Sequence, residues 1–274
     1  MIPHFGLIVI GDEILSGKRI DKHLSKVIEL LRERGLGLSW SEYVGDDAPR
    51  ITATLQRAFA SGDVVFCTGG IGATPDDHTR DCAAQALGVP TVLHPQAREL
   101  IEARMRQMAV EKGEPYEPDR ADNQQRLQMG KFPQGASIIP NPYNQIPGFF
   151  CSPHGSAGAV YFVPGFPVMA WPMLAWVLDT FYGHYFHQAV RTERSVVVFD
   201  SQEALLTPLM ESLERLHPGI AVFSLPSVDH PVYGRHIELG VKGEEALVPP
   251  AWDALLAGLH QFGAKLGPEM VRPG

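Results

Sequence analysis

The chain carries, at positions 68–79, the stretch Thr68-Gly69-Gly70-Ile71-Gly72-Ala73-Thr74-Pro75-Asp76-Asp77-His78-Thr79. It follows an apolar run from Asp63 to Thr68 that predicts a buried strand, and it precedes a segment from Thr79 to about Leu87 that predicts a helix. A strand–turn–helix order puts the turn at the carboxyl end of a parallel sheet, where open α/β proteins bind their ligands. This stretch therefore predicts both an α/β fold and the place of a ligand site.

The turn has the residues of a phosphate-binding loop. Gly69, Gly70 and Gly72 permit positive φ angles and let a ligand approach the backbone without a Cβ in the way. The amides that they expose, with a helix N-terminus behind them, are favourable partners for phosphate. Thr68 and Thr74 add hydroxyl donors. The stretch is neither a dinucleotide-binding Gly-x-Gly-x-x-Gly motif nor a P-loop.

Asp76 and Asp77 place two adjacent carboxylates in the same turn. Carboxylates repel a bare phosphate, so beside one we expect them to hold a divalent cation, Mg²⁺ or a similar ion. The alternative is structural: one of the two aspartates caps the helix that begins at Thr79, and the turn is only a tight connection. The sequence favours the metal site, and the helix-capping role stays as the alternative.

Two more acidic loops follow predicted strands. Gly11-Asp12-Glu13-Ile14-Leu15-Ser16-Gly17 comes directly after the apolar run Phe5 to Ile10, and Asp46 lies in Val44-Gly45-Asp46-Asp47 after the next strand. Because the carboxyl ends of parallel strands share one edge of a sheet, we expect the three acidic loops to converge on one rim. Acidic residues are also common in solvated loops of this kind. Lys18 and Arg19 suit either the neutralisation of phosphate or a solvated surface.

Further candidates lie in later loops. The segment Val163-Pro164-Gly165-Phe166-Pro167 precedes a predicted helix; Gly165 frees the backbone to approach a ligand, and Pro167 fits a first helical turn. A rigid junction is an equally good interpretation. Residues 113–160 are predicted to be largely irregular and functional, with short strands near Ala136 to Ile139 and Tyr161 to Val163. Asn123 and Asn141 lie in this stretch and could bind the edge of a ring.

The order of predicted elements divides the chain in two. Strand-like and helix-like segments alternate through residues 1–187, which predicts β-α-β units and a mostly parallel sheet. Residues 188–274 instead predict a small α+β module of order β-α-β-β-α. Its predicted strands and helices are, in turn, Ser195–Phe199, Gln202–Leu216, Ile220–Ser224, His236–Val241 and Pro250–Leu266.

Composition excludes several classes of protein. The chain has 274 residues, a net charge of −8 and a pI near 5.7, so no global positive field favours nucleic acid or an anionic membrane. No apolar run approaches the roughly 20 residues that span a bilayer, and Met1 to Gly11 has the character of a first strand rather than a signal peptide. Cys67, Cys82 and Cys151 are odd in number and widely spaced, which fits a reducing cytoplasm.

Together these motifs resemble one family. The first acidic loop, Val44-Gly45-Asp46, the glycine–aspartate turn, Asn141-Pro142 with Pro147-Gly148, and Val163-Pro164-Gly165-Phe166-Pro167 occur in the order typical of the MoaB/Mog-like molybdopterin-binding domain, as found in the N-terminal part of the CinA proteins. The resemblance covers roughly residues 1–185 and is much looser beyond residue 190. The nicotinamide-mononucleotide deamidase domain of CinA has no counterpart here, and we do not expect that activity.

The resemblance implies a three-layer α/β/α fold, a phosphorylated nucleotide or pterin as ligand, molybdopterin among them, and a possible homo-oligomer. It implies that the pocket is lined by Asp12, Glu13, Ser16, Asp46, Gly69, Gly70, Gly72, Thr74, Asp76, Asp77, Gly165 and Pro167. Two residues depart from the family pattern: His23 stands where an asparagine is expected, and Phe166 where proline is common.

Three functions follow from the resemblance. The first is a metal-dependent pyrophosphatase acting on ADP-ribose-like substrates, with Asp12, Asp46, Asp76 and Asp77 as catalytic candidates and the last two as metal ligands. The second is a non-catalytic molybdopterin- or nucleotide-binding protein. The third is a molybdopterin adenylyltransferase of molybdenum cofactor biosynthesis, which we rank last because the motifs side with CinA.

Overall fold

The computed structural model of the chain describes residues 2–152, 158–188 and 191–273. It divides into two compact units, Met1–Phe186 and His187–Gly274, which are described separately. No helix in these described ranges is long and apolar enough to cross a membrane.

The first unit is built on a six-stranded sheet with a separate two-stranded ribbon. Its strands are β1 (Phe5–Ile10), β2 (Leu38–Val44), β3 (Val64–Thr68), β4 (Thr91–Leu93), β5 (Lys131–Pro133), β6 (Ser137–Ile139), β7 (Gly148–Cys151) and β8 (Ala159–Val163). The main sheet has the order β2-β1-β3-β8-β7-β6, and β4 pairs with β5. Strands β2, β1, β3 and β8 are parallel, whereas β7 and β6 are antiparallel to their neighbours. The predicted mostly parallel sheet is confirmed.

Helices cover both faces of this sheet. They are α1 (Asp12–Leu15), α2 (His23–Arg32), α3 (Ala48–Ser61), α4 (Thr79–Leu87), α5 (Pro95–Lys112), α6 (Ala121–Gln128) and α7 (Pro167–Val177), the last followed by a π-helical turn at Leu178–Tyr182 and a short 3₁₀ turn at Gly183–Tyr185. In β1, Leu7 and Val9 pack with α2 and α7, and Ile8 and Ile10 pack with α3 and α4. Since successive side chains of a strand point to opposite faces, one strand supports two cores. The three-layer α/β/α fold is confirmed.

Local sequence explains the helix ends that position the site. Asp47 caps α3 by accepting a hydrogen bond from the Arg50 amide at 3.0 Å, and Pro49 lies in the first turn of this helix. The predicted bounds of β1 and α4 are confirmed.

The prediction that residues 113–160 are largely irregular is partly wrong. The described residues of this range include the two-turn helix α6 and the strands β5 and β7, which the sequence does not predict. The short strand predicted near Ala136 to Ile139 is confirmed as β6. Helix α6 could not be predicted from apolar periodicity, because Ala121–Gln128 is strongly polar and Asn123 is its one buried residue.

The second unit is a four-stranded antiparallel sheet with two helices. Its elements are β9 (Arg191–Phe199), α8 (Glu203–Leu216), β10 (Ala221–His230), β11 (Gly234–Glu244), α9 (Val248–Gln261) and β12 (Lys265–Pro273), with the sheet order β10-β11-β9-β12. This is the split β-α-β arrangement of a β-α-β-β-α-β module. The predicted α+β class is confirmed, but the predicted helix Pro250–Leu266 is wrong at its end. Helix α9 stops at Gln261, Gly263 takes a φ of 66°, and the chain returns as β12 along β9.

Candidate functional site

The three predicted loops leave the sheet side by side. The chain leaves β1 at Gly11, whose amide donates a hydrogen bond of 3.0 Å to the carbonyl of Val44 at the end of β2. It leaves β3 at Gly69, whose amide donates at 3.1 Å to the carbonyl of Val163 at the end of β8. Strand order thus brings together, at one edge of the sheet, segments that are far apart in sequence.

The glycines at the start of the turn are required by the turn itself. Gly69 and Gly70 have φ angles of 98° and 66°, a region that residues with a Cβ rarely adopt. A Cβ on Gly69 would collide with the carbonyl oxygen of Ile10, and one on Gly70 would collide with the hydroxyl of Thr79. Thr79 also donates to the carbonyls of Gly70, at 3.0 Å through its amide, and of Gly69, at 3.1 Å through its hydroxyl. That these glycines also leave room for a phosphate stays a prediction.

Asp77 organises the rest of the turn. Its carboxylate accepts hydrogen bonds from the Gly72 amide at 2.8 Å, the Thr74 amide at 2.8 Å and the Thr74 hydroxyl at 2.6 Å. The alternative in which Asp76 or Asp77 caps the following helix is wrong, because His78 occupies the N-cap and no side chain caps α4. Carboxylate bonds of this kind are charge-assisted and fix the shape of the loop.

Asp12 and Asp46 form a reciprocal pair across the first two loops. The Asp12 amide donates to the Asp46 carboxylate at 2.9 Å, and the Asp46 amide donates to the Asp12 carboxylate at 3.2 Å. Each backbone therefore positions the acidic side chain of the other. The predicted convergence of these two loops is met in the structure by direct contact.

The electrostatics of the rim differ from one carboxyl to the next. Partial burial raises the pKa of Asp46 above its ordinary value, and the charges of Asp12, Glu13 and Asp76 raise it further, against a lowering by its hydrogen bond from the Asp12 amide. The Thr74 side chain lowers the pKa of Asp76, which is fully exposed. The pKa of Asp46 is thus raised and that of Asp76 lowered at the same rim.

A cleft of about 700 Å³ opens above this edge of the sheet. Ten predicted site residues line it, namely Glu13, Asp46, Gly69, Gly70, Gly72, Thr74, Asp76, Asp77, Asn141 and Gly165. Lys18 and Arg19 stand at the same cleft. Thr68 and Pro167 line an adjoining cavity instead. Asp12 and Ser16 line neither: Asp12 lies against Asp46, and Ser16 is exposed at the end of α1.

The two predicted asparagines differ in position: Asn141 lines the cleft, whereas Asn123 does not. Asn141 is buried, and its side chain bonds to Asn144, Tyr143 and Ile146, which organises the loop that borders the cleft. Asn123 bonds to the carbonyl of Glu117 at 2.7 Å and does not line the cleft.

An apolar wall of the cleft is absent from the sequence-based prediction. It is formed by Ile71, Met129, Ile146, Pro147, Phe166 and Met169. Met129 follows α6 and Met169 lies in the first turn of α7, so no local pattern links them. Phe166 is 58% exposed, and its ring is free to contact a flat ligand.

The carboxylates allow a particular kind of metal site. Within the described ranges, no group of three or more His, Cys, Asp or Glu side chains is assembled as a metal-binding cluster. Mg²⁺ is commonly held by one or two carboxylates together with waters and phosphate oxygens of the substrate. Asp76 and Asp77 both line the cleft, and the metal site predicted at these two carboxylates stays a prediction.

This geometry defines a three-layer α/β domain with a ligand cleft at the carboxyl edge of its sheet. The chain belongs to the family described as probable molybdopterin binding domain, whose profile matches residues 6–184. The resemblance predicted from the motifs is confirmed.

Several curated relatives are named CinA-like protein. The one from Gloeobacter violaceus is 29% identical over 273 residues, 96% of this chain and 60% of the relative. The one from Geobacter metallireducens is 31% identical over 265 residues, 95% of this chain and 58% of the relative. The one from Anaeromyxobacter sp. (strain Fw109-5) is 33% identical over 165 residues, which is 60% of this chain but 37% of the relative. The chain thus spans between about a third and three fifths of these relatives.

Among solved structures, the chain is similar to the crystal structure of the protein CinA with unknown function from Thermoplasma acidophilum. The TM-score is 0.54 and the sequence identity 26%, over 64% of this chain and 98% of that one. This similarity supports the fold and the family.

Proposed function

We propose that the cleft binds a phosphorylated nucleotide or pterin, molybdopterin among the candidates, and that with a divalent metal ion the protein hydrolyses the pyrophosphate bond of an ADP-ribose-like substrate. One observation carries the proposal. The reciprocal pair of Asp12 and Asp46 holds a carboxyl group with a raised pKa at the cleft that the glycine turn also lines.

The cleft offers different chemistry along its walls. Within the turn from Gly69 to Thr74, the amides of Gly70, Ile71 and Ala73 are the ones offered to phosphate oxygens, because the other amides of the turn already donate to Val163 and Asp77. Lys18 and Arg19 line the same cleft and add positive charge. The apolar wall provides a surface for a base or pterin ring, with Phe166 as the aromatic contact. A ligand that carries both a flat ring and phosphates matches this combination.

Hydrolysis requires an activated water and a stabilised leaving group. In the proposed reaction the water oxygen forms a bond to one phosphorus, and the bond from that phosphorus to the bridging oxygen breaks, giving AMP and a sugar phosphate. Asp46 accepts the proton of the water, since a carboxylate with a raised pKa is the better general base. Amides of the glycine turn donate hydrogen bonds to the charge that develops on the phosphoryl oxygens. A bound divalent ion supplies further charge neutralisation at the pyrophosphate.

The test is the release of AMP from ADP-ribose in the presence of Mg²⁺, Mn²⁺ or Co²⁺. We expect Asp46→Asn and Asp76→Asn to lower the rate at least about a hundredfold, because each removes a charged group from the reacting centre. Asp119→Asn, an exposed carboxylate outside the cleft, is the matched control and should keep the full rate. Turnover that survives Asp46→Asn contradicts the role of Asp46.

A non-catalytic binding protein is the second candidate. It is favoured by the three hydrogen bonds that Asp77 accepts within its own loop and by the absence of an assembled metal cluster in the described residues. Tight pterin or nucleotide binding without turnover selects this candidate. ATP-dependent transfer of AMP to molybdopterin selects the adenylyltransferase instead.

A further inference from the structure

A second cavity of about 460 Å³ adjoins the cleft. The two share lining residues, so a single ligand can reach from one into the other; the shared residues are Ile10, Glu13, Lys18, Arg19, Gly165 and Phe166. The remainder of the second cavity is lined by residues that do not line the cleft, namely Val9, Ile14, Ile20, Lys22, His23, Thr68 and Pro167.

Two of these residues are buried polar side chains with an unused polar atom. His23 is 4% exposed, and its Nε2 lies 3.0 Å from the carbonyl oxygen of Gly165. A carbonyl can only accept, so Nε2 carries the hydrogen, and in the neutral ring Nδ1 is an acceptor. That Nδ1 is buried without a hydrogen-bond partner in the described part of the chain, and so is the hydroxyl of Thr68, which is 1% exposed.

Strand geometry places both residues on the same side of the sheet. Thr68 ends β3, and alternation gives its side chain the face of Val64 and Phe66, which pack in the core with α2 and α7. His23 begins α2, and Pro167 begins α7 on that face. The two unused atoms therefore belong to the second cavity and not to the opposite helical layer.

Such atoms are informative because buried polar groups in folded proteins nearly always have a partner. The Thr68 hydroxyl is a free donor, and the His23 Nδ1 is a free acceptor. A hydroxyl group of a ligand satisfies either one, since it both donates and accepts. The exposed cations Lys18, Arg19 and Lys22 line the cavity, and Glu13 is the one acidic residue among its described lining residues. This charge favours an anionic group.

We propose that the second cavity is a subsite for a group that carries both hydroxyls and a negative charge, such as a phosphorylated polyol or sugar. The hydroxyls bond to Thr68 and His23, and the anionic group pairs with Lys22 and its basic neighbours. We identify this group with the far end of the ligand whose ring and pyrophosphate occupy the cleft, and this identification rests on the proposed function. The existence of the subsite does not depend on the proposed function, so it is tested without nucleotide and without metal.

The test uses the full chain and glycerol 3-phosphate as the probe, with inorganic phosphate for comparison. Titration is followed by NMR through the ring nitrogens of His23 and the backbone amides. We expect glycerol 3-phosphate to shift the Nδ1 resonance of His23, and inorganic phosphate to shift it less, because it brings no alcohol hydroxyl to the ring.

Thr68→Val separates a binding role from a structural one. The substitution removes an unpartnered buried hydroxyl, so it should raise the melting temperature, yet it should weaken glycerol 3-phosphate binding by about fivefold, the equivalent of one neutral hydrogen bond. Lys22→Gln should weaken binding by about threefold, whereas Lys112→Gln, at the exposed end of α5, should not change it.

Three outcomes overturn the subsite. They are shifts confined to the amides of Gly69–Gly72, a Thr68→Val variant that binds like the wild type, and equal effects of Lys22→Gln and Lys112→Gln. If Thr68→Val fails to fold, the shift of the His23 resonance and the binding of the two lysine variants still test whether the subsite exists. Loss of AMP release in the assay for the proposed function has no bearing on these results.

Discussion

Asp12 and Asp46 hold each other in place, each carboxylate accepting a hydrogen bond from the backbone amide of the other, at 3.2 and 2.9 Å. Gly45 makes this possible, because a Cβ at that position would collide with the Asp12 carboxylate. The pair joins the loops after β1 and β2 and brings two negative charges together at the rim of the cleft. Its electrostatic consequences can be measured directly.

Asp46 should make stability depend on pH. Its pKa in the folded protein is raised above the ordinary 3.8, mainly by partial burial and then by neighbouring carboxylates. The ionised form is therefore disfavoured by folding, and the loss of stability grows as pH rises from below 3.8 through the raised pKa. Asp46→Asn should be more stable than wild type at pH 7, by less than about 1 kcal/mol because the group is largely solvent-screened. The difference should vanish in acid; urea denaturation across this range checks it, and an Asp46→Asn variant that is less stable at neutral pH contradicts it.

Asp77 should be needed for the shape of the turn. Asp77→Ala removes three hydrogen bonds, from the Gly72 amide, the Thr74 amide and the Thr74 hydroxyl. We expect a loss of about 1–3 kcal/mol in unfolding free energy and faster hydrogen exchange at those two amides. Asp81→Ala, in the first turn of α4, is the control. Unchanged exchange at Gly72 and Thr74 contradicts the assignment.

Gly69 should tolerate no side chain. Its φ is 98°, and a Cβ there would collide with the backbone of Ile10. Gly113 has a φ of 69° and open space around it, so a substitution there introduces the backbone strain of a positive φ without any collision. Gly113→Ala should cost about 1 kcal/mol, and Gly69→Ala at least about 2 kcal/mol, in chemical denaturation. Equal costs would show that the approach to Ile10 is unimportant.

Much of this site follows from rules that act locally or through topology. The convergence of Asp12, Asp46 and the glycine turn is predictable, because consecutive parallel strands end at one edge of a sheet. The internal use of Asp77 is not, since a short loop admits several hydrogen-bond patterns for the same residues.

Other features depend on contacts between distant segments. Met129 and Met169 both line the apolar wall although they follow or belong to different helices, α6 and α7. Strand β12 carries Gly267 and Pro268, which weaken its strand pattern, and it is defined by its pairing with β9. Tertiary pairing overrides local propensity at such places.

Phe166 should contribute to ligand binding without contributing to stability. It is 58% exposed and lines both cavities. We expect Phe166→Ala to weaken ADP-ribose binding about tenfold through loss of ring contact, with an unchanged melting temperature. Phe262→Ala is the control, because Phe262 is similarly exposed, at 55%, and lies in the second unit. Calorimetric titration of the three proteins measures this, and equal affinities would remove Phe166 from the site.

The proposed function requires that the glycine turn bind the phosphates of a nucleotide or pterin ligand. The most direct test is an NMR titration of the full chain with ADP-ribose, following the backbone amides of Gly70, Ile71 and Ala73, because the amides of Gly69 and Gly72 already donate to Val163 and Asp77. We expect saturable shifts at these three amides with ADP-ribose, and none with adenosine, which carries no phosphate. Saturable binding of ADP-ribose that leaves all three amides unmoved would contradict this proposal.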